Sequence, residues 1–179
     1  MTMLQIHDKI FEPYISEQKL NEAVKKLTND IAVDCKNEIP LFLGVLNGSF
    51  MFCSDLLKAY QNPCEISFIK LASYEKTQST GQVNELIGIN EDLTNRTIIV
   101  VEDIIDTGNT LEKIVALLKK TSAKKIKIAT LFLKPTVYNK DIKIDYIGIE
   151  IPNKFILGYG MDYDGLGRNL SEIYVLKDS

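Results

Sequence analysis

With 179 residues, 45% of them apolar and 25% charged, the chain has the profile of one soluble globular domain large enough for a sizeable core. A net charge of −3 excludes the overall basic field that recruits nucleic acid. Three cysteines without a CxxC pair argue against a disulfide framework or structural zinc. A single histidine, His7, nearly excludes Ser-His, Cys-His and His-metal chemistry.

The opening MTMLQIHDKIF reads as irregular and lacks a basic leader. No apolar run reaches the about 18 residues of a membrane span, so the expected location is cytoplasmic, with no membrane partner. Ser16 can cap a helix with Leu20, Ala23, Val24, Leu27 and Ile31 on one face. Leu41 to Leu46 reads as a buried strand, turning through Asn47-Gly48-Ser49 into a helix over Phe50 to Tyr60. Glu65 to Leu71 is the next strand. The polar segment Ser73 to Asn84 reads as a long functional loop. Glu85 to Asn90 reads as a short return strand, and Thr97 to Asp103 as the central buried strand.

A helix from about Thr110 carries Leu111, Ile114, Val115 and Leu118 at helical spacing. The basic run KKTSAKKIK, Lys119 to Lys127, reads as a solvated helix end and turn. Ile126 to Leu133 and Asp145 to Glu150 are further strands. The Gly- and Tyr-rich tail closes with Glu172 to Leu176. Alternating helices and continuous apolar strands predict an α/β fold, a mainly parallel sheet covered on both faces.

The central strand runs into three acids, Glu102, Asp103 and Asp106, followed by Thr107, Gly108, Asn109 and Thr110 at the mouth of a helix. Ligands of open α/β sheets sit beyond the carboxyl ends of the strands. There the backbone N–H groups, the Thr107 and Thr110 hydroxyls and the helix dipole form an anion cradle suited to a monophosphate. Gly108 permits the tight turn. A capping box of Asn109 and Glu112 is the structural alternative. It leaves Glu102 and Asp103 unexplained, since adjacent buried carboxylates need hydroxyl donors, a metal or basic partners.

VVEDIIDTGNT (100–110) closely resembles the phosphoribosyl-pyrophosphate signature of type I phosphoribosyltransferases. GVLNGSFMF (44–52), KLASYEKTQSTG (70–81), LFLKP (131–135), IEIPNKFILGYGMDY (149–163) and GRNL (167–170) extend the resemblance to hypoxanthine-guanine phosphoribosyltransferases. The resemblance implies a single domain, 1–179, with a mobile catalytic loop over 73–84 and a small hood from 1–15 and 152–179. It implies transfer of 5-phosphoribosyl from phosphoribosyl pyrophosphate to N9 of hypoxanthine or guanine, with Mg²⁺, in a homodimer or homotetramer. Small molecules rather than nucleic acid are the partners. A xanthine-preferring transferase and a nucleotide- and RNA-binding regulator are the competing readings.

Residue by residue, the same resemblance makes Asp106 the catalytic base, with electrostatic support of the ribose as its alternative. Asp106, Thr107, Gly108, Asn109 and Thr110 take the 5′-phosphate. Glu102 and Asp103 take the ribose hydroxyls and, with Asp162, the metal. Leu46, Asn47 and Gly48 bind pyrophosphate through the backbone, sometimes with a cis peptide, while Ser73 and Tyr74 close over the site and Arg168 adds a pyrophosphate contact. Lys134 reads the purine O6, Phe155 stacks on the base, and Ile156 and Asp162 offer carbonyls to its edge. Many relatives carry lysine where this chain has Asn47.

Overall fold

The computed structural model describes residues 3–71, 85–89 and 91–177. In chain order its elements are β1 (Leu4–Ile6), β2 (Lys9–Ile15), α1 (Glu17–Asp34), β3 (Leu41–Val45), α2 (Phe50–Ala59), β4 (Glu65–Leu71) and β5 (Glu85–Ile87). There follow β6 (Thr97–Ile105), α3 (Asn109–Leu118), β7 (Lys125–Leu133), β8 (Tyr146–Glu150), β9 (Ile156–Leu157) and β10 (Ile173–Leu176). The proposed loop over 73–84, with Ser73 and Tyr74, lies outside the described residues.

The main sheet has the order β5-β4-β3-β6-β7-β8. Strands β4, β3, β6, β7 and β8 are parallel, and β5 is an antiparallel edge. Because strand side chains alternate, the apolar runs bury both faces at once. Phe42, Ile99, Val101 and Leu131 meet Leu27, Ile31 and Leu56 of α1 and α2 on one face. Leu43, Ile98, Val100 and Ile128 meet Leu111, Ile114 and Leu118 of α3 on the other. Each fully buried aliphatic side chain contributes about 1.5–3 kcal/mol. Truncating Ile114, which is fully buried, to alanine removes that burial and leaves a cavity, at about 2–5 kcal/mol.

Local chemistry sets the helix starts. Ser16 caps α1, its Oγ accepting from the Lys19 N–H at 3.4 Å. Before α2 the Ser49 hydroxyl turns back to donate to the Val45 carbonyl at 2.7 Å, fastening the connecting loop to β3.

The fold class is the expected one, a covered parallel sheet with a smaller hood. Strands β1-β2-β10-β9 form the second, antiparallel sheet, over a small core of Ile6, Phe11 and Leu157. Here the reading of the first residues as irregular is corrected. They form a hairpin, turning at His7 with φ +51°, and β2 buries Phe11 and Ile15 in alternation. Pro13 and the exposed Ile10 and Tyr14 obscured that period. The two-residue β9 was also missed, being too short for any pattern.

Candidate active site

Glu102 and Asp103 lie in strand β6 as expected, and the strand extends two residues beyond Asp103, so only Asp106 of the three acids lies in the turn. Alternation sends the two neighbours different ways. Glu102 is 5% exposed. Ile105 closes the strand, and the chain reverses at Gly108 with φ +84° into α3. A Cβ at Gly108 would come within 2.6 Å of the Tyr138 ring and 2.8 Å of Lys140, so the left-handed turn and the space both demand glycine. Gly108 is the N-cap and makes no side-chain capping bond. Glu112 pairs with Lys140 at 2.9 Å. The Asn109–Glu112 capping box is therefore not formed, and α3 starts without a side-chain cap.

Three contiguous cavities follow the carboxyl edge of the sheet. One of about 110 Å³ is lined by Asp106, Thr107, Gly108, Asn109 and Thr110, together with Glu102. A second, about 300 Å³, lies among Leu46, Gly48, Glu102, Asp103, Thr110 and Lys113. The largest of the three, about 360 Å³, has core residues Asn47, Gly48, Asp103, Asp106 and Lys134 on one side. Phe155, Ile156, Asp162 and Arg168, from the hood end of the chain, complete it. Every predicted site residue among those described thus lines one connected groove.

The loop at Leu46 to Gly48 is fitted into this groove by close backbone approach. The Leu46–Asn47 peptide is cis. A Cβ on Gly48 would strike the Asp103 carboxylate. A bulkier residue there would push loop and strand apart.

Electrostatically the groove holds both paired and unpaired charge. Lys134 is 7% exposed and does not turn to solvent as an ordinary strand-end lysine would. Its ammonium donates to Asp106 at 2.8 Å and reaches Asn153 at 3.5 Å. Arg168 forms an ion pair with Asp162 at 2.6 Å and donates to the Gly160 carbonyl at 2.8 Å. The Gly165 N–H also donates to Asp162, at 2.7 Å. Glu102 and Asp103 fare differently. Burial, then the neighbouring Asp103, pushes the Glu102 carboxyl well above its usual range. Burial raises Asp103 to about 6, against the pull of its own and the Ile104 N–H groups and of Arg168, while Asp162 pushes it higher.

Phe155 is 43% exposed, a ring opening on the cavity rather than a core side chain. Phe11 and Tyr163 pack around it at 6.2 and 5.8 Å between centroids, and the Lys9 ammonium lies 4.5 Å from the Tyr163 ring. Sequence reasoning missed these supports, and it missed Ile104, Lys113 and Met161 on the groove wall. Ile104 sat in plain view between two predicted acids. The three proposed metal carboxylates do not form one cluster, for no group of three or more His, Cys, Asp or Glu side chains gathers among the described residues.

A glycine turn from the middle strand of a parallel sheet into a helix, roofed by a small antiparallel sheet, defines a class. The family model for the Phosphoribosyl transferase domain matches residues 12–164, and the chain belongs to that family. Within it, the chain is 40% identical over 172 residues to the hypoxanthine-guanine phosphoribosyltransferase of Bacillus subtilis, covering 96% of this chain and 95% of the relative. It is 39% identical over 173 residues to the bifunctional protein TilS/HprT of Listeria monocytogenes, of whose length it spans only 27%. A crystal structure of a hypoxanthine-guanine phosphoribosyltransferase from Bacillus anthracis superposes with a TM-score of 0.85. The identity is 39%, over 92% of this chain and 97% of that one.

Proposed function

We propose that this chain transfers the 5-phosphoribosyl group of phosphoribosyl pyrophosphate to N9 of hypoxanthine or guanine, releasing pyrophosphate. The observation that carries this reading is the buried Lys134 ammonium set 2.8 Å from Asp106 in one cavity with the open Phe155 ring. A donor, a carboxylate and a stacking face converge where a planar base with a carbonyl fits.

In this mechanism the free N–H groups at the start of α3 and the Thr107 and Thr110 hydroxyls hold the 5′-phosphate. Lys134 leaves Asp106 to donate to the purine O6. A 6-amino group cannot accept that bond, so adenine is rejected. Asp106, released, takes the N7 proton as the C1′–N9 bond forms and the bond from C1′ to pyrophosphate breaks. Arg168 and the backbone of Leu46 to Gly48 receive the leaving diphosphate. Phe155 supports the base, and Ile156 and Asp162 face its edge.

The donor set fits Mg²⁺. Glu102 and Asp103 are adjacent hard oxygen donors on the groove wall, and Mg²⁺ commonly takes one or two carboxylates plus substrate oxygens. Bound there, with Asp162 across the groove, it would neutralise charge on the diphosphate. The enzyme is a cytoplasmic homodimer or homotetramer in this proposal. No helix among the described residues is long and apolar enough to cross a membrane.

One observation weakens the regulator reading. Lys124 and Lys125 converge on Glu38, and Lys127 pairs with Asp34, so much of the basic run is neutralised within the chain. Steady-state turnover with Mg²⁺, phosphoribosyl pyrophosphate and each purine base separately tests the proposal. Product with hypoxanthine and guanine but little with adenine is the expected result. Absence of turnover with every base sinks it, and xanthine as the best substrate renames the enzyme.

A further inference from the structure

Tyr159 is a buried tyrosine at φ +48°, held between Gly158 and Gly160, which also have positive φ. A bulky residue in the left-handed region is unfavourable and persists only when its surroundings enforce it. The Tyr159 N–H donates to the Leu170 carbonyl within the hood at 2.8 Å, and a second hold comes from the core. The Tyr159 hydroxyl donates at 2.6 Å to Oδ2 of Asp55 on α2, whose Oδ1 accepts from Lys58 at 3.0 Å. Next to it, a Cβ on Gly160 would collide with the Gly48 carbonyl, so this turn lies directly on the loop after β3. The Gly160 N–H donates to the Arg168 carbonyl at 3.0 Å, and its own carbonyl holds the Arg168 guanidinium.

We propose that Tyr159 and Asp55 form a latch between hood and core, positioning the Gly48 backbone and Arg168 for the diphosphate of the substrate. The proposal rests on the transferase reading above. Neither residue reaches the reacting atoms; both are positioning residues. The latch sets the distance between two diphosphate contacts contributed by different sheets.

The test compares Tyr159→Phe, which deletes one hydroxyl, with Asp55→Ala, Asp55→Asn and Lys58→Met. Tyr159→Phe and Asp55→Ala are expected to raise KM for phosphoribosyl pyrophosphate about tenfold, with kcat and the purine KM within about twofold of the unaltered enzyme. Asp55→Asn keeps an acceptor and rescues most of the loss, and Lys58→Met leaves all three constants unchanged. A lowered Tm with unchanged KM in both Tyr159→Phe and Asp55→Ala overturns the latch, leaving a merely structural contact. Turnover of the unaltered chain is measured first, since its absence overturns the activity reading instead. The latch is then read from pyrophosphate binding by calorimetry. Weakened binding in Tyr159→Phe and Asp55→Ala sustains it, and unchanged binding removes it.

Discussion

The two ends of the main sheet treat charge in opposite ways. At the amino end, Glu38 accepts from the Thr97 hydroxyl and from Lys124 and Lys125 at 2.9 and 3.0 Å. Asp34 takes Lys127 at 2.6 Å and the Tyr146 hydroxyl at 2.8 Å, and Arg96 reaches Glu65 at 2.8 Å. These bonds, led by Thr97, hold the Glu38 carboxyl down at about 2. At the carboxyl end, Glu102 and Asp103 are pushed upward by burial. The same residue type therefore stabilises the fold where the chain supplies its partners. It destabilises the fold where burial outweighs the partners the chain supplies.

Substitutions at the two ends should consequently separate activity from stability. The largest effect is expected from Asp106→Ala, with turnover falling about 10²–10⁴-fold while phosphoribosyl-pyrophosphate binding persists. Weak binding with normal turnover of bound substrate would remove the base assignment. Lys134→Ala should raise the purine KM about 10–100-fold and relax rejection of adenine, as competition assays with the two bases would reveal. Glu38→Gln should lower stability by about 1.5–3 kcal/mol in denaturant unfolding and leave turnover intact. If it spares stability, the contrast between the ends collapses.

Glu102→Gln should do the reverse, raising Tm by about 2–4 °C while abolishing metal-dependent turnover. The pH profile sharpens the point because the signs differ. Glu38 has a lowered carboxyl, so its stabilisation is present above its ordinary 4.5 and is lost as pH falls toward about 2. Asp103 has a raised one, so stability declines as pH rises from its ordinary 3.8 through about 6. Unfolding of Glu102→Gln should show a shallower decline above pH 4.5, since the raised carboxyl of Glu102, which costs stability as the unfolded chain loses that proton, is gone.

Legibility in the sequence followed the strength of local signals. Strands β3, β6 and β7 are nearly unbroken β-branched and leucine runs, and α1 announces itself with Ser16 and a clean apolar stripe. The groove was legible because Glu102, Asp103, Asp106 and Gly108 make poor sense as packing residues. The hood hairpin was not, since Pro13 and two exposed apolar side chains break its alternation. The contacts between Lys134 and Asp106, and between Tyr159 and Asp55, join residues far apart in the chain. No spacing rule reaches that far, and only the crossing of the strands brings them together.

Phe11 of β2 lies opposite Leu176 of β10. The roof of the groove is thus tied by a pairing that spans nearly the whole chain, whereas its floor on β6 and α3 is made of residues close in sequence. Closing a long loop is entropically slow to be rewarded, so non-local pairings of this kind form late. The turn at Gly108 depends on neighbours in sequence, whereas the wall that Phe155 and Arg168 bring to the groove depends on β2 and β10 finding each other.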